Sequence, residues 1–111
     1  MACTKGQDVC IYRKDTFAQT YTVKRDGAVE DITGWSATFY LKQRIDDTLI
    51  ALTKSLTIPD PLNGQAVLQL TENDTDITDD TYVYEVEFRN SDDSFVNSVQ
   101  AVFTIEKTVN P

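Results

Sequence analysis

The sequence has no histidine. It therefore lacks the commonest general base, the commonest metal ligand and any Ser-His-Asp or Cys-His nucleophile system. Only two cysteines are present, Cys3 and Cys10, too few for a Cys/His zinc site. Basic residues are scarce: 10 Lys and Arg stand against 18 Asp and Glu, a formal net charge of -8. That balance argues against nucleic acid, which needs a basic face, and against a polybasic membrane anchor. No apolar run approaches the roughly 18 to 20 residues of a membrane span. Residues 1–6 have no apolar core, so no secretory signal is expected there. The expectation is a non-enzymatic chain without cofactor, nucleic-acid partner or membrane partner.

What is present is ordinary globular composition. Hydrophobic residues make up 41% and charged residues 25% of 111, which suits one core and one domain. Hydrophobicity alternates with a period of two. Trp35, Ala37, Phe39 and Leu41 share one face, as do Tyr82, Tyr84, Val86 and Phe88, and Val99, Ala101, Phe103 and Ile105. Successive strand residues point to opposite faces, so each run has one buried and one largely wet face. Four weaker runs join them: 9–12; Phe17, Tyr21 and Val23 with Gln19; Ile50, Leu52, Leu56 and Ile58 with Lys54; and Ala66, Leu68 and Leu70. No segment shows helical periodicity over three turns, and a helical turn fits only near 71–80.

Turn chemistry separates the runs. Arg25-Asp26-Gly27 reads as a tight turn with glycine available for positive φ. Residues 59–64, with two prolines, are not expected to continue a strand. Residues 44–48 and 90–94 read as polar connections. About seven short strands at this spacing predict an all-β chain, an immunoglobulin-like antiparallel β-sandwich, with a small barrel as the competing architecture. The whole of 1–111 is read as one domain with a short N-terminal arm (1–8) and a C-terminal tail (107–111).

In immunoglobulin sandwiches a tyrosine two residues before the second core cysteine bonds back to its corner. Tyr84 stands two residues before Val86, so Val86 would replace that cysteine and Trp35 would be the core tryptophan of strand C. The plainer reading makes Tyr82 and Tyr84 large inward residues only. Phe39 and Phe103 complete the expected core.

The ordered phrases Asp15-Thr16-Phe17, Tyr21-Thr22-Val23-Lys24-Arg25-Asp26-Gly27, Asp31-Ile32-Thr33-Gly34-Trp35, Thr38-Phe39-Tyr40-Leu41-Lys42, Gly64-Gln65-Ala66-Val67-Leu68, Tyr82-Val83-Tyr84-Glu85-Val86 and Phe103-Thr104-Ile105 cover nearly the whole chain. In order and spacing they resemble the N-terminal immunoglobulin-like domain of upper baseplate proteins of tailed bacteriophages. The resemblance implies a virion structural protein, assembled in the host cytoplasm, without catalytic residues. Its partners would be other virion structural proteins, in a homo-oligomer or symmetric array. In that family further segments commonly follow, so the expectation here is the attachment module alone: an adaptor of the tail, baseplate or fibre region. A capsid decoration protein is the alternative. A small carbohydrate-binding module is a third reading, with Tyr12, Tyr40 or Trp35 stacking on sugar.

The segment 72–80 carries Asp74, Asp76, Asp79 and Asp80, enough carboxylates to attract Ca²⁺. It does not match the EF-hand pattern, and a solvated loop in which Asp and Asn bond their own backbone is the favoured account. The pairs Asp46-Asp47 and Asp92-Asp93 sit in turn-like segments, without the geometry of glycosidase carboxylates. Cys3 and Cys10 are close enough in sequence to close a small loop, yet reducing assembly favours two free thiols, with Cys10 partly buried. Lys54 interrupts an apolar face, which marks an edge strand guarded by a charge. That edge, or the arm 1–8, is the expected place for a neighbouring subunit to add a strand. Val83 and Val102, apolar on wet faces, are further interface candidates unless a second sheet covers them.

Overall fold

A computed structural model describes residues 7–44, 46, 48–92 and 94–107, with the side chains of all but 95–97. The chain runs β1 (Val9–Tyr12), β2 (Phe17–Thr22), β3 (Lys24–Arg25), β4 (Ala28–Val29), β5 (Ser36–Lys42), β6 (Leu52–Ser55), β7 (Thr57–Asp60), a 3-10 turn (Pro61–Asn63), β8 (Gln65–Leu70), α1 (Glu72–Thr75), β9 (Asp80–Arg89) and β10 (Phe95–Glu106). One sheet has the order β1-β10-β9-β5-β6 and the other β2-β8-β7, with β3 and β4 forming a small separate hairpin. In immunoglobulin lettering these are A′-G-F-C-C′ and B-E-D. All pairs are antiparallel except β1 with β10.

The inward residues of both sheets meet in one core. Phe39, Phe88, Phe103, Ile32, Leu41, Leu68 and Val86 are its largest fully enclosed apolar side chains. Phe39, Tyr84 and Phe103 pack as an aromatic triangle with centroids 5.6 to 5.9 Å apart, and Phe17 adds an edge-on contact to Phe103. Such packing adds to the area buried.

Two turns require glycine. Asp26 and Gly27 both take positive φ, as the hairpin joining β3 and β4 needs. At Gly64 a Cβ would lie 2.7 Å from the carbonyl oxygens of both Val23 and Glu30, so this glycine also admits a close backbone approach.

Several expectations need correction. The run 50–58 is not one strand. It breaks at buried Leu56, leaving β6 in the large sheet and β7 in the small one. Pro59 and Asp60 belong to β7, because an edge strand next to an irregular register tolerates a missing donor. Trp35 precedes β5 and only packs partly buried against the core, while Phe39 fills its centre. Cys10 is disulfide-bonded rather than a free thiol. The sequence holds one other cysteine, Cys3, which lies outside the described residues, as do 1–6 of the expected arm and 108–111 of the tail.

The tyrosine corner belongs to Tyr82, not Tyr84. The Tyr82 hydroxyl donates to the Thr78 carbonyl four residues upstream. Two residues beyond that corner the cysteine position falls on Tyr84, whose hydroxyl donates to the Gln7 carbonyl. Facing it from β2 is Tyr21. Its hydroxyl is enclosed beside Tyr84 without a partner in hydrogen-bonding geometry. Burial pushes the Tyr21 phenol up, and Tyr84 adds to the rise. A Tyr–Tyr contact between β2 and β9 thus stands where antibody-type sandwiches place their inter-sheet disulfide.

Candidate functional site: the outer face of the large sheet

Strand register decides which outward residues are neighbours. Val102 lies opposite Val83, and Val83 opposite Lys42. In the adjoining row Gln100 faces Glu85, which faces Tyr40 and then Thr53. These rows enclose a shallow groove of about 270 Å³, lined by Tyr40, Lys42, Val83, Glu85, Gln100 and Val102 among others. Val102 is exposed and Val83 and Tyr40 are half-buried. Two interface candidates named from sequence, Val83 and Val102, are therefore direct cross-strand neighbours, and no described second sheet covers them. The groove offers apolar area with polar groups at its sides, which suits recognition of another protein surface.

Lys54 is not part of this face. It stands opposite Phe39 on the inward side of β6 and pairs with Asp74 at 2.8 Å. An ammonium at the margin of the core is acceptable because that carboxylate neutralises it. β6 is an edge strand, as expected, but Lys54 serves as a tie to α1 rather than as an outward guard.

The acidic segment is dispersed among separate partners. Asp74 accepts from the Thr71 N–H and the Thr71 hydroxyl accepts from the Asp74 N–H, a reciprocal cap that starts α1. Burial alone would raise the Asp74 carboxyl; Lys54 and Thr71 together outweigh it and hold the carboxyl below its usual range. Asp76 pairs with Arg13 at 2.9 Å, and Asp80 accepts from Gln43 at 3.1 Å. Among the described residues no three metal-ligating side chains converge. Asp46 is exposed, and the Asp92 N–H donates to the Asn90 side chain within a turn. Their neighbours Asp47 and Asp93 lie outside the described residues.

The aromatic candidates for sugar stacking do not form one platform. Tyr12 on β1 and Tyr40 on β5 are separated by β10 and β9, about 14 Å at ordinary strand spacing. Trp35 packs against the core. A second apolar surface, missed in the sequence reading, lies at one end of the sandwich. Exposed Leu49 and Ile50 border a hollow with Ile77, Thr78 and Tyr82. Two successive apolar residues in an otherwise polar connection were the available signal.

No family model matches the chain, and no curated protein is significantly similar to it.

Proposed function

We propose that this chain is a non-enzymatic binding module of a bacteriophage virion, an immunoglobulin-like adaptor that joins structural proteins in the tail, baseplate or fibre region. The supporting observation is the outer face of the large sheet, which no described element covers and where Val102, Val83 and Tyr40 adjoin across three strands. Its phage setting rests on the ordered resemblance of nearly the whole chain to baseplate sandwich domains, and the strand order described above agrees with the fold that resemblance implies. A disulfide at Cys10 suits a particle that leaves the reducing cytosol, since such bonds persist on virion surfaces.

In this reading the rigid sandwich presents its sheet face to a neighbouring protein. Affinity comes from the apolar centre, and Lys42 and Glu85 at the margin set orientation. The test is incorporation of tagged chain into particles produced without the wild-type copy. Val83→Lys and Val102→Lys fold normally and are excluded from particles. Incorporation of both at wild-type levels would remove this face from the account.

A further inference from the structure

The disulfide at Cys10 does not staple one sheet to the other. Its partner is the only other cysteine of the chain, Cys3, seven positions upstream, so it closes a ring of eight residues, 3–10. Antibody-type sandwiches join strands B and F by their disulfide, and here Tyr21 and Tyr84 occupy that place. A ring this short adds less to global stability than a bond that closes a long loop. Its effect falls on the residues it contains and on what they touch.

Two described residues of the ring are tied to the body of the sandwich. The Gln7 carbonyl accepts from the Tyr84 hydroxyl. The Asp8 carboxylate accepts from the Val102 backbone N–H at 3.1 Å. That bond fills the place on β10 just before the β1 ladder begins at Val9 and Phe103. Val102 also lines the groove on the outer face of the large sheet. Cys10 lies on that same outer face, opposite Thr104 and between core-facing Val9 and Ile11, and it is buried although β1 is an edge strand. Its sulfur stands 3.7 Å from a Glu106 carboxylate oxygen. A reduced Cys10 thiol therefore has an acceptor in place. Both redox states fit the site without moving β1, whose hold on the core is Val9 and Ile11.

We infer that the Cys3–Cys10 ring is a redox latch on the Val102 edge of the groove. Oxidised, the ring confines Asp8 and keeps its carboxylate on the Val102 amide. Reduced, the ring opens, Asp8 gains conformational freedom, and the Val102 amide is released while β1 stays paired. Opening takes a dithiol reductant. Its thiolate attacks one sulfur, the Cys3–Cys10 bond breaks, and its second thiol closes a disulfide of its own. Two electrons and two protons pass to the chain, which is left with two thiols. In a reducing cytosol the edge is loose, and oxidation outside it fixes the edge. That consequence for docking rests on the proposed binding role of the face, whereas the latch itself belongs to the folded chain.

Amide hydrogen exchange of the full chain, followed by NMR with and without dithiothreitol, tests it. On reduction the Val102 amide exchanges about tenfold faster or more, while the amides of the paired residues Phe39 and Val86 in the sheet centre change little. Cys3→Ser shows the fast rate with and without reductant. Asp8→Ala does the same, because the acceptor is gone. The wild-type comparison needs no substitution, so it decides the matter if a variant fails to fold. An unchanged Val102 rate on reduction would overturn the inference. So would two free thiols, counted by maleimide labelling of the oxidised chain denatured without reductant, or a Cys3→Ser chain that keeps the slow rate. Every readout is on the isolated chain, so failure of the latch and failure of the adaptor reading are separate results.

Discussion

Asp74 performs two tasks with one carboxylate, capping α1 and neutralising Lys54. Asp74→Ala removes both and is expected to cost about 1–2 kcal/mol at pH 7, from the usual size of a cap and a partly exposed ion pair. The pH dependence follows from the lowered carboxyl. A group with a depressed folded pKa stabilises above its unfolded value, about 4, and that contribution disappears as pH falls through the lower folded value. The gap between wild type and Asp74→Ala in denaturant melts should therefore narrow below about pH 4. A gap that stayed constant from neutral pH to about pH 2 would deny the charge its part. The partnership was not legible in sequence, because nothing local connects Lys54 with a carboxylate 20 positions away.

Three tyrosines at this scale have distinguishable roles. Tyr82→Phe loses the corner bond to Thr78, at about 1 kcal/mol. Tyr21→Phe removes an enclosed hydroxyl with no hydrogen bond and should be neutral or stabilising in dilute protein. Equal losses from the two changes would contradict this assignment. Spacing alone pointed to Tyr84 as the corner residue. A corner is defined by a hydroxyl meeting an upstream carbonyl, and two inward tyrosines in alternation offer the same pattern until that carbonyl has a position.

At the scale of elements, alternation was a good guide wherever one face is buried. β5, β9 and the second half of β10 read cleanly because buried and solvated positions differ in chemistry at every step. The break at Leu56 was not legible, since a strand that changes sheets keeps the same alternation on both sides of the change. The aromatic triangle joins β5, β9 and β10. Phe39→Ala or Phe103→Ala should each cost about 3–5 kcal/mol, the usual loss for an enclosed phenylalanine. Chemical denaturation measures this, and a loss below about 1 kcal/mol would mean the triangle is not the centre of the core.

For the molecule as a whole, the sandwich has one sheet face that strand register makes apolar at its middle and that no described element covers. Val83 and Val102 were legible as outward apolar residues. Their adjacency was not, because it depends on which strands pair. Lysine at exposed Val102 should change stability by no more than about 0.5 kcal/mol, as surface changes usually do, while abolishing partner binding.

The most direct test of the adaptor account is the copy number and location of this chain in purified phage particles, by cryo-electron microscopy with mass spectrometry. The account predicts a closed ring of a few copies at the tail, each with the Val83–Val102 face against a neighbouring protein. Hundreds of copies on the capsid shell, or none in the particle, would contradict it.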